Sequence, residues 1–468
     1  MHPKRLTYTY IISDFISSAL AWTFFFIFRK IKIENQLFDD ITLFSDNNFL
    51  LGIIIIPLFW IFLYFLFGYY TDTYRKSRLK EISKTFSITL LGVLVIFFKL
   101  ILDDIINTYT DYYILVFTLL IIQFSFIYLP RLVITSIISY KIHSRKIGFP
   151  TLLIGANGKT IDIYNEISNM KTYPGNKFVG FVSNKNNQKL AKKIKYLGDY
   201  KNIHELLIEY NIQEVIIAIE SSEHDKLRSI LNQLILTNVK IKIIPSLYDI
   251  FSGYVKLGTL YSTPLIEIPN NPMDASLKNT KRVFDIFASI MAVLILFPFY
   301  IFVGIGVLFS SRGPIFYLQE RIGKNGKPFK IIKFRTMYPN AEKHGPALSS
   351  DNDKRITPWG KFLRKTRLDE IPQFVNVLIG NMSIVGPRPE RKYYINKIVP
   401  HAPYYLNLLK VKPGITSLGE VKYGYAENVE EMIVRMKYDI TYLQNISLYL
   451  DFKILILTVK TILQANGK

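Results

Sequence analysis

The sequence predicts a membrane helix bundle, then a Rossmann-like α/β domain, then a mostly helical α/β domain that contains a re-entrant membrane helix. Three observations support this division. Four apolar runs fill the first third of the 468-residue chain, an alternation of strand and helix patterns follows, and a fifth apolar run introduces a basic C-terminal region. The predicted domains span residues 1–147, 148–270 and 278–468.

Composition agrees with this division and excludes several kinds of site. Half of the residues are hydrophobic and 20% are charged, so the two classes must be segregated along the chain. Lys and Arg total 58 against 36 Asp and Glu, a formal net charge of +22. This balance suits nucleic acid, an anionic membrane surface or phosphorylated substrates. Because the chain has no cysteine, it has no disulfide, no thiolate nucleophile and no Cys-ligated metal.

The first region is predicted to be a bundle of four membrane-spanning helices. Each apolar run approaches the roughly 20 residues that a helix needs to cross about 30 Å of hydrocarbon. The runs are Thr7–Phe28, Phe49–Tyr70, Ile82–Leu102 and Tyr112–Ile134. Basic residues border the N-terminus, the second loop and the end of the bundle, whereas the third loop carries Asp103, Asp104 and Asp111. The positive-inside rule therefore places both ends of the bundle in the cytoplasm.

The middle region alternates short apolar runs with helical patterns, which predicts a mostly parallel, Rossmann-like sheet. The predicted strands are Thr151–Ile154, Phe178–Val182, Val215–Ile219 and Lys240–Ile244, and the predicted helices are Lys201–Tyr210 and Asp225–Leu236. The segment Gly155–Thr160 fits neither a Walker A loop nor a complete dinucleotide fingerprint. A tight strand-to-helix turn is the preferred interpretation, and a ligand-binding or regulatory role is the alternative.

A fifth apolar run, Val283–Phe309, contains Pro298, which removes a helical hydrogen bond and kinks a helix. A complete crossing would put the basic C-terminal region outside the cell. We therefore predict a re-entrant helix over residues 282–309, with a proline-kinked fifth span as the alternative. Near the end of the chain, Leu443–Thr458 has the apolar spacing of an amphipathic helix that lies on the membrane or on the C-terminal domain.

Asp369 and Glu370 precede Pro372, which predicts that they lie at a helix start. A helix N-terminus favours negative charge, so a carboxylate there is expected to stay ionised, as a nucleophile or metal ligand requires. Simple helix capping explains the same dipeptide. Cations suited to holding a diphosphate occur on both sides of it in sequence: Lys333, Arg335, Arg364, Arg367 and Arg388.

Several short motifs of the C-terminal region occur in a characteristic order. They include Lys333-Phe334-Arg335-Thr336-Met337, Leu368-Asp369-Glu370-Ile371-Pro372-Gln373, Gly386-Pro387-Arg388-Pro389-Glu390 and Lys412-Pro413-Gly414-Ile415-Thr416. The ordered set, from Lys278 to the C-terminus, resembles the bacterial polyprenyl-phosphate phosphoglycosyl transferases, the monotopic bacterial sugar transferase family. The preceding bundle and Rossmann-like domain resemble the long form of that family, which initiates exopolysaccharide, capsule or O-antigen repeat units.

The resemblance implies an enzyme that transfers a sugar 1-phosphate from a nucleoside-diphosphate sugar, usually a UDP-sugar, to undecaprenyl phosphate. It implies that Asp369 is the nucleophile, forms a covalent phosphosugar intermediate and releases UMP. It also implies Mg²⁺ as cofactor, with Glu370 as its ligand. Arg364 matches the position that holds the lipid phosphate, and Arg388 matches one that holds a phosphate near the nucleotide. Lys333 and Arg335 are expected to support the substrate through charge.

The same resemblance implies a multi-pass protein of the bacterial inner membrane, in contact with membrane lipid, with its catalytic domain on the cytoplasmic face. No nucleic-acid partner is expected, and a homodimer is compatible with the long form. One departure concerns Ser417-Leu418-Gly419-Glu420, which stands where many members have Gly-Leu-Trp-Gln. The sugar preference of other members is therefore not carried over to this chain.

Two other functions compete with this one. A membrane-bound nucleotide-sugar dehydratase or epimerase would need a complete dinucleotide fingerprint and a Tyr-x-x-x-Lys couple in the α/β domain. A non-enzymatic membrane sensor with a nucleotide-binding middle domain would explain the basic charge. It would not explain why Asp369 and Glu370 stand before Pro372 at a predicted helix start.

Overall fold

The computed structural model describes residues 3–33, 44, 46–101, 109–170, 173–184, 186–219, 223–245, 265–269, 271–339, 341, 345 and 353–463. The chain divides into two compact units. One unit comprises Met1–Gly148 with Asp274–Thr280, and the other comprises Phe149–Met273 with Lys281–Lys468.

The N-terminal unit contains the four predicted helices. They are α1 (Pro3–Ile33), α2 (Asn47–Leu66), α3 (Arg78–Ile96) and α4 (Tyr109–His143). Each is long and apolar enough to cross a membrane, which confirms the helical membrane bundle. The predicted end of the third span at Leu102 lies outside the described residues, as do Asp103 and Asp104.

A buried ion pair lies inside this bundle. Arg131, in the fourth apolar run, lies 2.6 Å from Asp14 of the first run, and the two side chains are 0% and 1% exposed. The aromatic rings of Tyr64 and Tyr69 pack on the guanidinium, 3.8 and 3.6 Å from its central carbon. The pair explains how two apolar helices tolerate buried charges, since each charge compensates the other.

The Rossmann-like domain is built on a six-stranded sheet with the strand order β3-β2-β1-β4-β5-β6. The strands are β1 (Phe149–Ile154), β2 (Asn176–Val182), β3 (Tyr196–Gly198), β4 (Glu214–Ile217), β5 (Lys240–Ile243) and β6 (Ile266–Ile268). All neighbouring pairs are parallel except β5–β6. The helices are α5 (Gly158–Asn169), α6 (Gln188–Ala191), α7 (Ile203–Glu209) and α8 (His224–Leu234). The predicted sheet is confirmed, whereas the short elements β3, β6 and α6 were not predicted.

The Gly155–Thr160 segment forms the tight turn after β1 and the first residues of α5. Asn157 caps the helix by accepting a hydrogen bond from the backbone N–H of Thr160, 2.9 Å away. Gly155 has a φ of +130°, and a Cβ there would lie 2.6 Å from the carbonyl oxygen of Ala218. Glycine is required at this position for its conformation and for the close approach of β4.

The fifth apolar run is broken where the sequence predicts. Helix α9 (Ala275–Ile295) and helix α10 (Phe297–Ser310) meet at an angle of 61°. Pro298 lies in the first turn of α10, where its missing N–H costs no helical hydrogen bond. The bend fits a broken span as well as a re-entrant loop, so the re-entrant course stays a prediction.

The rest of the C-terminal region is a hairpin, a small parallel ribbon and short helices. The hairpin pairs β7 (Phe316–Ile322) with β8 (Pro328–Phe334), and the ribbon pairs β9 (Ser383–Val385) with β10 (Gly414–Thr416). The helices are α11 (Pro358–Lys365), α12 (Gln373–Ile379), α13 (Lys392–Ile398), α14 (Leu418–Lys422), α15 (Val429–Gln444) and α16 (Leu448–Leu463).

The single amphipathic helix predicted over Leu443–Thr458 is wrong in its bounds. The residues belong to two helices, because α15 ends at Gln444 and α16 begins at Leu448. Asp451 of α16 is buried and accepts hydrogen bonds from Lys281 at 2.5 Å and from Tyr442 at 2.8 Å. These contacts pack one face of α16 on the C-terminal region, while Tyr449 and Ile456 remain exposed on another face.

Candidate active site

A cavity of about 620 Å³ lies in the C-terminal region. Its wall includes Asp369 and four of the five cations named in the sequence analysis: Lys333, Arg335, Arg364 and Arg388. Further cationic side chains line it that the sequence analysis did not single out: Arg312, Arg321, Arg391 and Arg435. The fold thus brings residues more than fifty positions apart to one concave surface with a large excess of positive charge, which suits a phosphorylated ligand.

Asp369 and Glu370 lie in a single 3₁₀ turn, Leu368–Glu370, and not at the start of a helix. The turn begins at Arg367, whose φ of +58° is left-handed, and α12 starts only at Gln373. The predicted helix start is therefore wrong by one turn. Both carboxylates are buried, each 7% exposed, so burial and nearby cations set their charge states.

Three sets of hydrogen bonds fix the segment that directly follows this turn, Ile371 and α12. The hydroxyl of Tyr300, on α10, donates to the carbonyl oxygen of Ile371 at 2.8 Å. The side chain of Asn376 accepts from the backbone N–H of Ile332 at 2.9 Å and donates to the carbonyl oxygen of Lys330, joining α12 to β8. Arg282, on α9, donates to two carbonyl oxygens at the end of α12. The segment that follows the carboxylate turn is thus held by both the hairpin and the bent helix pair.

Glu370 is the centre of an ion-pair network. Its carboxylate oxygens lie 2.7 Å from Lys333 Nζ and 3.3 Å from Arg367 Nη1, with Arg388 Nη2 at 4.0 Å. Burial opposes its ionisation, but these three cations outweigh burial and hold the pKa of Glu370 well below its usual value. Glu370 is therefore a permanent anion at neutral pH.

Asp369 has the opposite shift. Burial, and then the negative charge of Glu370, raise the pKa of Asp369 to about 6, although Lys333, Arg364 and Arg367 act in the other direction. At neutral pH the carboxylate is mostly ionised, yet it is more basic than an ordinary aspartate. A buried, basic carboxylate on the wall of a cationic cavity has the properties of a nucleophile.

Sequence reasoning missed a second layer of residues around these cations. Glu420 accepts from Arg367 at 3.2 Å and also forms an ion pair with Arg388. Asp439 accepts from the backbone N–H groups of Gly419 and Arg388, at 2.8 and 3.3 Å. The only sequence signal was the unusual segment that contains Glu420, whereas nothing pointed to Asp439.

The two acidic residues offer a partial site for a divalent cation. Within the described part of the chain, no group of three or more His, Asp or Glu side chains could hold a metal ion. Mg²⁺, however, is commonly bound by one or two carboxylates together with substrate phosphates and water. Asp369 and Glu370 fit that kind of site, although a metal at Glu370 would have to replace Lys333 or Arg367.

Known proteins match this same region. Residues 276–465 match the family described as bacterial sugar transferase. The UDP-glucose:undecaprenyl-phosphate glucose-1-phosphate transferase of Caulobacter vibrioides is 35% identical over 210 residues, which cover 44% of this chain and 79% of that protein. The exopolysaccharide production protein PSS of Rhizobium leguminosarum bv. phaseoli is 37% identical over 188 residues, 38% of this chain and 92% of that protein. The chain belongs to the bacterial sugar transferase family.

The family prediction made from the motifs is thereby confirmed, and the matched region of this sugar transferase contains the whole cavity.

Residues 66–245 match a second family, described as a CoA-binding domain, and these residues include most of the Rossmann-like sheet. A UDP-N-acetylgalactosamine-undecaprenyl-phosphate N-acetylgalactosaminephosphotransferase of Aeromonas hydrophila is 35% identical over 232 residues, 50% of this chain. The match spans 54% of that relative, a little over half of its length.

Proposed function

We propose that this bacterial sugar transferase transfers a sugar 1-phosphate from a UDP-sugar to undecaprenyl phosphate and so initiates a polysaccharide repeat unit. The relatives from Aeromonas and Caulobacter are described as acting on UDP-N-acetylgalactosamine or UDP-glucose and on undecaprenyl phosphate. The observation that carries the proposal is the buried Asp369–Glu370 pair among cations, with Asp369 on the cavity wall.

The proposed reaction has two displacements at phosphorus. A carboxylate oxygen of Asp369 attacks the phosphorus that carries the sugar, the phosphoanhydride bond breaks, and UMP leaves with the bridging oxygen and its electron pair. An oxygen of the lipid phosphate then attacks the same phosphorus, and the bond to Asp369 breaks to regenerate the carboxylate. Every attacking and leaving oxygen is an anion, so neither step requires a proton donor.

The cations around the turn bind the phosphate groups, whose negative charge would otherwise repel the carboxylate of Asp369. Arg388 binds a donor phosphate, Arg364 binds the acceptor phosphate, and Lys333 keeps Glu370 and Asp369 ionised. Glu370 would hold Mg²⁺ together with the diphosphate, in place of its contact with Lys333 or Arg367, and the metal would neutralise the diphosphate's charge.

We also propose that the protein lies in the bacterial inner membrane with this cavity on the cytoplasmic face. The natural chain has no cysteine, so single cysteines report topology without background. In sealed inverted vesicles, an impermeant maleimide should label Ser310→Cys and Arg78→Cys but not Tyr109→Cys. Protection of Ser310→Cys, with Arg78→Cys labelled, would mean that α9 and α10 form one complete span.

The reaction is tested with full-length protein in nanodiscs that contain undecaprenyl phosphate, with Mg²⁺ and a panel of UDP-sugars. We expect UMP release with one or a few donors, and loss of release when Mg²⁺ is chelated. Without the lipid acceptor, a single turnover should leave a phosphosugar adduct that peptide mass spectrometry maps to Asp369. Turnover with no adduct at any time would contradict the covalent mechanism, and no UMP release with any donor would contradict the proposed function.

A further inference from the structure

Arg335 is a buried guanidinium that is only partly hydrogen-bonded. It is 8% exposed and lies on the cavity wall, immediately after β8. Nη2 donates to the carbonyl oxygen of Ser311 at 2.6 Å. Nε and Nη1 have no hydrogen-bond partner among the residues that the structure describes. Because buried N–H groups are nearly always paired, this arginine has donors left for a ligand.

The backbone around Arg335 keeps its guanidinium in one position. It contacts the carbonyl oxygens of Val307, in the last turn of α10, and of Ser311, which directly follows the helix, and a helix C-terminus favours positive charge. Gly313 has a φ of +131°, and a Cβ there would lie 2.3 Å from Nη1 of Arg335. The glycine therefore leaves the space that the guanidinium occupies.

The surface beside Arg335 is apolar and exposed. Leu308 and Phe309, at the end of α10, are 52% and 88% exposed. On the hairpin, Tyr317 lines the cavity, while its neighbours Phe316 and Leu318 are 45% and 54% exposed. An anion site bordered by apolar surface suits a phosphate that carries a hydrocarbon chain better than it suits a nucleotide.

We propose that Arg335 binds the phosphate of the lipid acceptor through Nε and Nη1. The inference rests on the proposed function, because it assigns one substrate of that reaction to one end of the cavity. Arg364 lies in the same cavity and is oriented by a hydrogen bond from Nε to the hydroxyl of Thr336, 3.0 Å away. Two guanidinium groups can together hold a phosphate monoester at the mouth of the site while its chain follows α10.

Steady-state and single-turnover kinetics of Arg335→Gln test this assignment. Loss of a charge-assisted contact should raise the KM for undecaprenyl phosphate at least about tenfold. The first half-reaction, UMP released per enzyme without acceptor, should stay within about twofold of the natural protein. Arg335→Lys should recover part of the loss, because it restores charge without the planar fork. Lys437→Gln, an exposed cation on α15, is the charge-matched control.

A binding measurement that needs no turnover separates this inference from the proposed function. Native mass spectrometry should show retention of undecaprenyl phosphate by the natural protein and loss of it in Arg335→Gln, with phosphatidic acid and inorganic phosphate as competitors. Equal retention by both proteins would overturn the inference, as would a first half-reaction as impaired as the second. If inorganic phosphate displaces undecaprenyl phosphate as well as phosphatidic acid does, the site is a general anion site, and the inference is overturned. A Gly313→Ala protein that keeps a normal acceptor KM would also contradict it.

Discussion

Two buried arginines of this chain differ in how many of their N–H donors are hydrogen-bonded: Arg131 in the membrane bundle and Arg335 on the wall of the cavity. In Arg131, Nε and Nη2 donate to Asp14 at 2.8 and 2.6 Å, and Nη1 donates to the hydroxyl of Thr85 at 3.1 Å. In Arg335 only Nη2 donates to another described residue. The first has a carboxylate partner, whereas the second rests on backbone carbonyl oxygens and lines a cavity.

The same contrast separates Asp14 from Asp369. Asp14 faces a single buried arginine and accepts from Tyr70 as well, so its charge is fully compensated. Asp369 lies beside another carboxylate and has a raised pKa. In the bundle, paired charges stabilise one packing of the helices. In the cavity, charges without a full partner can bind substrate or react with it. The four predictions that follow test this division, from the largest expected effect to the smallest.

Replacement of the proposed nucleophile should have the largest effect. Asp369→Asn keeps the size of the side chain but cannot form the covalent intermediate, so turnover should fall by about 10⁴-fold or more. Thermal stability should not decrease, because the change removes a carboxylate whose burial is unfavourable. UMP release and a melting curve measured on the same preparation check both points. Residual turnover above a few per cent would assign the nucleophile to another group.

Removal of the compensating partner in the bundle should affect stability rather than chemistry. Asp14→Ala leaves Arg131 buried without a counter-charge, which should cost about 3–5 kcal/mol of unfolding free energy. The double variant Asp14→Ala/Arg131→Met removes both charges and should recover most of that loss. Denaturation in detergent, followed by tryptophan fluorescence, measures the difference. If the double variant is no more stable than the single one, the loss of stability in Asp14→Ala does not come from an unpaired Arg131.

The long apolar runs predicted the bundle because each residue of a span adds to the same signal. The partner of Asp14 could not be found in this way, since Arg131 lies 117 positions away and its pairing exists only after the helices pack. Short strands such as Tyr196–Gly198 were missed for a related reason. Three residues carry too little periodicity, and sheet pairing decides their conformation.

For the candidate active site, the motifs predicted Asp369, Glu370 and four cations. The fold places Asp369 and the cations on the wall of one cavity, and Glu370 pairs with Lys333 beside it. The physical argument for their charge state was wrong, because it relied on a helix N-terminus that begins only at Gln373. Burial and ion pairs replace it, and both depend on tertiary structure. Asp439 was missed because it acts through backbone N–H groups on distant segments.

The raised pKa of Asp369 predicts how turnover depends on pH. Only the ionised carboxylate attacks phosphorus, so kcat/KM should fall about tenfold per pH unit below pH 6 and level off above about pH 7. Lys333→Met removes a cation that lowers this pKa and should move the acid limb to higher pH. Profiles of UMP release with a saturating acceptor test both. An acid limb near pH 4 in the natural protein would indicate that Asp369 is not shifted by burial.

The smallest effect concerns Glu420, which forms ion pairs with Arg367 and Arg388. Glu420→Gln keeps the side-chain shape and a hydrogen-bond acceptor but removes one negative charge. The two arginines are then less neutralised, so the pKa of Asp369 should fall and the acid limb should move to lower pH. Arg388 should also bind a donor phosphate more readily, which lowers the KM for the UDP-sugar by about fivefold or less. The exposed Glu430→Gln serves as the charge-matched control. A rise in donor KM together with a lower melting temperature would mean that Glu420 mainly supports the fold of the site, as Asp14 supports the bundle.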